Sequence, residues 1–201
     1  PLWVSLYWWN PIAVKELFNA GHMEAVVIPF VLAGLVLAIR KRPVAATASL
    51  TLAAGAKLWP VILLPLVWRS LMHAPRKLLV AVGITVFGLA LFAWPVLSAG
   101  LAPASGFVAY ASKWKTNSAL FPALESITSP MVARAMVAIL LAVIIGWQCR
   151  TAASNPQELT RRALIIVSAL FLLSPAQFPW YFLWVLPLLC IVPVPGLLVL
   201  T

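Results

Sequence analysis

The chain has 201 residues, of which 64% are hydrophobic and 9% charged, with a mean hydropathy of +1.04. An ordinary soluble domain is about 45–50% apolar and about 25% charged, and a small core cannot hide so much apolar surface; the solvent is mostly lipid, which excludes a soluble enzyme, a disordered regulator and a disulfide-stapled secreted domain. Fourteen Lys and Arg against four Asp and Glu give a net charge of +10, and because these cations cluster between apolar runs they point to membrane lipid or a phosphate-bearing lipid rather than to nucleic acid.

A spanning helix needs about 20 mostly apolar residues, whereas barrel strands would alternate polar and apolar positions. The long unbroken runs here predict an all-α, polytopic transmembrane bundle with a short helical hairpin and external loops over about 1–22, 99–130 and 174–180. No charged segment precedes an apolar stretch at the start, so no signal peptide is read. The chain reads as one transmembrane domain, a central or C-terminal portion of a longer protein.

The opening segment, Trp3 to Glu24, is rich in tryptophan (Trp3, Trp8, Trp9), as interfacial segments are. It holds Asn10, Lys15, Glu16, Asn19, His22 and Glu24. Glu16, His22 and Glu24 are half of the chain's six acids and histidines. Concentrating scarce titratable groups at one membrane edge builds a proton-handling site, with His22 and Glu24 as its candidates. The plainer alternative leaves Lys15 and Glu16 solvated and gives His22 a helix start to cap.

The first apolar run is Met23 to Ile39, closed by Arg40, Lys41 and Arg42. The second, Pro43 to Trp68, is too long for one span and carries Pro60 and Pro65, so it splits into two helices of about 12 residues, each about 18 Å long. Its tip is Lys57-Leu58-Trp59-Pro60. A lysine at that depth is either functional or snorkels to the far interface. The third run, Leu78 to Ser98, follows Arg76 and Lys77. The polar stretch from Ala99 to Pro130 carries Lys113 and Lys115 around Trp114, then Asn117; cations, an aromatic face and an amide suit a phosphate and a sugar ring, while an interfacial loop among headgroups has the same composition. The fourth run is Met131 to Gln148, the fifth extends from Arg161-Arg162 to Ser174-Pro175, and the sixth is Trp180 to about Leu200. Between the last two, prolines break the helix around Gln177, Trp180 and Tyr181. Such backbone at membrane depth lines a cavity or anchors an aromatic belt.

Arg40, Lys41, Arg42, Arg69, Arg76, Lys77, Arg150, Arg161 and Arg162 share one side, read as cytoplasmic, provided that the Pro43–Trp68 run enters and leaves on that side. Lys15, Lys113, Lys115 and Arg134 take the other. Cys149 and Cys190 match no metal or redox spacing and read as buried, inert thiols. No Gly-rich phosphate loop, zinc-ligand cluster or Ser/His/Asp arrangement is present, and Glu24 with His22 is too small a set for a metal.

Read together, Trp9-Asn10-Pro11, Lys15-Glu16 and Gly21-His22-Met23-Glu24 resemble the opening pattern of multi-pass GT-C glycosyltransferases, in particular the bacterial polyprenyl-phosphate-mannose-dependent mannosyltransferase-like group. Lys57-Leu58-Trp59-Pro60 is similar to that group's hairpin, Trp114, Asn117 and Phe121 to its external-loop segment, and Ser174-Pro175 through Pro179-Trp180-Tyr181, Trp184 and Leu186-Pro187 to its late motif. The resemblance implies transfer of a sugar, mannose, from a polyprenyl-phosphate donor to a glycan or glycolipid hydroxyl on the non-cytoplasmic face of the cell membrane, with no cofactor beyond that donor. It places the principal base in a first external loop upstream of Pro1. His22 and Glu24 would orient or deprotonate the acceptor. Asn10, Lys57, Trp59, Lys113, Trp114, Lys115, Asn117, Gln177, Trp180 and Tyr181 would bind substrate. The group often carries His near the late turn, where this chain has Phe178. A lipid or small-solute transporter, or a non-catalytic membrane subunit, is the alternative; a transporter needs polar groups towards both faces, and here they gather near one face, with Lys57.

Overall fold

The computed structural model describes residues 2–100, 108, 114–118 and 120–199. Among them every regular element is helical, with one isolated bridge between Thr116 and Ala176. The segment expected as a loop over about 1–22 is largely helical: α1 (Leu2–Trp8), then α2 (Pro11–Ala13), which continues as a π-helix over Val14–Asn19. That unit meets α3 (Glu24–Ile39) at an angle of 113°.

Three residues, Arg40 to Arg42, reverse the chain into α4 (Pro43–Ala56), with Lys41 in the left-handed region at φ 57. The anticipated hairpin is present. After α4 the backbone turns at Lys57 and Leu58, runs as a 3-10 helix over Trp59–Leu63, becomes α5 (Leu64–Trp68) and ends in a 3-10 turn over Arg69–Leu71. Pro60 and Pro65 sit in the first turns of their segments, where the missing N–H costs nothing. Pro43 at the hairpin's start and Leu71 at its end line the same cavity, so both limbs end together.

The rest of the chain builds α6 (Pro75–Ser98), α7 (Leu120–Ile127), α8 (Pro130–Cys149) and α9 (Pro156–Leu173). At 1.5 Å per residue α6 is about 36 Å long and α8 about 30 Å, enough for a hydrocarbon core of about 30 Å. Among the described residues these are the two helices long and apolar enough to cross a membrane; the bent α2–α3 unit would make a third.

Two expected runs differ. The fifth starts earlier, because Asn155 caps the chain with its side chain on the Glu158 N–H and Pro156 supplies a preset first residue. Arg161 and Arg162 therefore lie inside α9 and not ahead of it. The sixth is not a continuous helix. It is a 3-10 helix over Pro179–Trp184, then α10 (Leu186–Leu189) and α11 (Pro195–Leu198). Pro187, Pro193 and Pro195 each lack the N–H that an α-helix needs, so hydropathy alone overstates this segment.

Small and hydroxylated residues bring α3, α4 and α6 close, as in lipid, where packing and polar contacts replace the hydrophobic drive. A Cβ on Gly34 would lie 2.9 Å from the Leu50 side chain, and one on Gly88 2.5 Å from that of Thr51. Ser49 donates to the Phe30 carbonyl at 2.7 Å, and the Trp68 indole donates to Thr47 Oγ1 at 3.1 Å. The core continues through Val27, Leu63, Leu164 and Leu186, all buried. The outer faces of α6 and α8 are bare and apolar: Leu79 is 74% exposed, Phe87 72% and Met131 81%. Such faces suit lipid.

The basic clusters gather at one end. Arg69 donates to the Arg150 carbonyl at 3.2 Å, and Arg162 to the Gln148 carbonyl at 2.7 Å. The far end of α8 and α9 carries Arg134, Ser174 and Pro175 beside Trp114. Cys149 and Cys190 are free and half-buried rather than fully enclosed.

Candidate active site

Asn10 sets the local frame. Its Oδ1 accepts from the Ile12 N–H at 2.9 Å and the Ala13 N–H at 3.3 Å, with Pro11 in the first helical position. The side chain is buried at this cap, which gives Asn10 a structural task. The π-helix that follows shifts the register and turns Glu16 inward, to 5% exposure. Gly21 at φ +63 then bends the chain so that the His22 N–H reaches the Glu16 carbonyl at 3.0 Å. Side chains close the same pair: His22 Nε2 lies 3.0 Å from Glu16 Oε2, and Lys15 Nζ 3.4 Å from Glu16 Oε1.

Glu24 opens α3 and has no exposed surface. Oε1 accepts from Lys57 Nζ and from the Trp184 indole N–H at 3.1 Å. Oε2 has no hydrogen-bond partner among the described residues. Lys57 adopts an extended conformation where α4 ends, which swings its ammonium under the Tyr181 ring, 4.5 Å from the centroid, and 5.3 Å from that of Trp184. Its side chain keeps 27% exposure. Thus the lysine at the hairpin tip is ion-paired and bedded on aromatic faces, which stabilise a cation where water is scarce. Trp59 completes the floor, stacked on Trp184 at 5.1 Å.

The Pro-Trp-Tyr bend connects this buried cluster to the surface. Ser174 Oγ donates to the Ala176 carbonyl at 2.8 Å, and the Gln177 N–H to the Thr116 carbonyl at 2.7 Å, which fastens the loop around Trp114 to the bend. Phe178, Trp180 and His22 form one stack: Phe178–Trp180 at 4.5 Å and 7°, Trp180–His22 at 4.2 Å and 18°. Trp114 meets Phe178 edge-on at 5.7 Å, and Tyr181 stacks on Trp184 at 4.1 Å. An aromatic wall therefore runs from Trp114 at the loop, past the Glu16–His22 pair, to the Lys57–Glu24 pair. Beside Trp114 a groove of about 330 Å³ opens between α8 and α9, with Arg134 and Ser174 near its polar end and Val137, Leu141 and Leu170 along its apolar wall.

Several expected site residues stand elsewhere. Lys115 turns to Glu125 and lies over the Phe121 ring at 5.9 Å. Asn117 is exposed, in the left-handed region at φ 51. The Gln177 amide is spent on the Leu172 carbonyl at 2.8 Å. Lys113 lies outside the described residues. Glu24, expected next to His22 as a proton-handling group, is sealed below it and paired with Lys57. The sequence reading weighs Glu16 against a solvated alternative and leaves it off the site, and it does not single out Trp184, although that residue lies one helical turn beyond Trp180 and Tyr181. Among the described residues no three His, Cys, Asp or Glu side chains gather in metal-binding range.

Comparison with known proteins gives one family: residues 2–73 match the family described as alpha-(1->6)-mannopyranosyltransferase, N-terminal domain. No curated protein and no solved structure matches. The match covers a little over a third of the chain, and within it lie Asn10, Glu16, His22, Glu24, Lys57 and Trp59. It supports a relation to mannosyltransferases and, with it, a glycosyltransferase role.

Proposed function

We propose that this chain forms part of an integral-membrane glycosyltransferase that moves a sugar, mannose, from a polyprenyl-phosphate donor to an acceptor hydroxyl at the non-cytoplasmic face. The observation that carries the reading is the convergence of Glu16–His22, Lys57 and the Trp180-Tyr181 bend on one aromatic wall. Three sequence-distant segments supply, respectively, a proton-handling pair, a cation and ring faces for a sugar.

In the proposed reaction the acceptor oxygen attacks the anomeric carbon, and the bond from that carbon to the phosphate oxygen breaks with its electron pair left on the phosphate. Lys57 faces that growing charge; fixed cations at such a point are a large source of rate. His22 is held by Glu16 through one ring nitrogen, and its other nitrogen, without a partner among the described residues, takes the acceptor proton, in concert with any base contributed by the longer protein. Glu24 acts through Lys57 as a positioning residue. The groove between α8 and α9, with Arg134 near a polar end and apolar walls, suits a phosphate head with a prenyl chain. Membrane placement is supported by α6 and α8.

The test is transfer of labelled sugar from a polyprenyl-phosphate donor by the full-length protein in membranes. His22→Ala and Lys57→Met are each expected to slow transfer by about 100-fold or more with membrane insertion retained, His22→Ala at wild-type thermal stability and Lys57→Met at a lower one, because it leaves Glu24 buried without its cation. Wild-type rates in both would overturn the reading, as would solute flux through vesicles without any sugar transfer.

A further inference from the structure

The end of the molecule away from the aromatic wall holds a second built feature. A cavity of about 470 Å³ opens where α4, α5, α6 and α9 meet, within the range of ligand sites, about 300–1,000 Å³. Ile39, Leu66, Val67, Leu71 and Leu159 give it apolar walls, and among the described residues Lys41 and Lys77 are the charged groups that line it. Neither ammonium has a hydrogen bond or ion pair among the described residues. Of the neighbouring cations, Arg69 is committed to the Arg150 carbonyl and Arg162 to Gln148, Thr151 and Glu158, while Arg40, Arg42 and Arg76 stand outside the lining. The hydroxyls in the lining are occupied as well, Ser70 on the Val67 carbonyl and Ser154 on Glu158, whose carboxylate stands behind the wall. Pro43, Ala74 and Asn155 on the rim also mark the starts of three helices, whose positive ends add to the same sign.

We propose that this cavity binds the phosphate head of an anionic membrane phospholipid, with Lys41 and Lys77 as its two cationic contacts. Two unspent ammonium groups above apolar walls match an amphiphile whose phosphate is anionic and whose first methylenes are not. Free phosphate shares the charge but gains nothing from Ile39, Leu66, Val67, Leu71 and Leu159. The site is separate from the glycosyl-transfer reading: it requires that the chain sits in a bilayer, not that it transfers sugar.

The experiment uses the full-length protein in nanodiscs of zwitterionic lipid, titrated with phosphatidylglycerol or with inorganic phosphate, and counts bound lipid by native mass spectrometry. Wild type is expected to retain about one phosphatidylglycerol per chain, undisplaced by millimolar phosphate. At about 1 kcal/mol per cation near a lipid surface, Lys41→Ala or Lys77→Ala should weaken retention about fivefold and the double variant about thirtyfold. Lys→Arg at both positions should restore it. Arg76→Ala, on the same face but outside the lining, is the control for a diffuse patch. Equal loss with Arg76→Ala, unchanged retention in the double variant, or competition by free phosphate would each overturn the proposal. Unaltered thermal unfolding shows that the variants are folded.

Discussion

Glu16 and Glu24 lie eight residues apart and end in opposite environments. Glu16 faces a partly exposed histidine, whereas Glu24 is sealed in with Lys57. Removing one member of a buried ion pair costs about 3–5 kcal/mol, because the other is left without a partner; the 27% exposure of Lys57 puts Glu24→Ala at the low end of that range. The pair as a whole is less critical, since replacing both charges with apolar groups removes both desolvation terms. Thermal unfolding of Glu24→Ala, Lys57→Met and the double variant in detergent should therefore show a strong positive coupling, with the double variant more stable than Glu24→Ala alone. Additive losses would mean that the pair contributes little. Much of this chemistry is visible in the sequence, but not its direction. Lys57 stands out because a lysine among Leu, Ala and Trp is conspicuous. Asn10 takes a capping role that the sequence reading leaves out, because Asn-Pro also serves as a cap and the backbone of α2 requires one. Glu16 is hidden because a π-helix offsets side chains from the usual period, so no helical pattern predicts where it points.

At the level of elements, hydropathy alone finds α6 and α8, and Pro60 and Pro65 foretell the hairpin. It fails on the sixth run because it counts Leu186 to Leu198 as apolar without weighing Pro187, Pro193 and Pro195, each of which removes a backbone donor. The start of α9 was legible in principle: Asn155, Pro156 and Glu158 are a cap, a first residue and a first-turn acid. Glu158 also makes that start sensitive to pH. Hydrogen bonds from the Ser154 hydroxyl and N–H, then from Arg162, hold its carboxyl down from 4.5 to about 2. A depressed carboxyl contributes stability that is full above its unfolded value and is lost as pH falls towards the folded one. Wild type and Glu158→Gln should accordingly differ in melting temperature in detergent at pH 5 and above, and the difference should close between pH 4.5 and 2. A gap that persists unchanged at pH 2 would mean that the carboxylate is not the source.

Taken whole, the molecule is polarised. One end holds the guanidinium groups of Arg69, Arg150 and Arg162 and the lysine-lined cavity; the other holds the aromatic wall and the loop that Thr116 fastens to the Pro-Trp-Tyr bend. Cations near short loops favour the cytoplasmic side, so the proposed function predicts the basic end inside and the candidate active site outside. The hairpin permits this, because both its limbs return to the basic end, whereas a single crossing over Pro43 to Trp68 would have split the cations between the two sides. Cysteine accessibility decides the matter. With Cys149 and Cys190 replaced by Ala in the full-length protein, Ser126→Cys probes the outer end of α7 and Ala152→Cys the basic end; both positions are exposed. An impermeant maleimide applied to intact cells should label Ser126→Cys and leave Ala152→Cys unmodified until the membrane is opened. The reverse pattern would place the aromatic wall in the cytoplasm, and labelling of both would show that the hairpin and the paired helices do not separate the two ends across a bilayer.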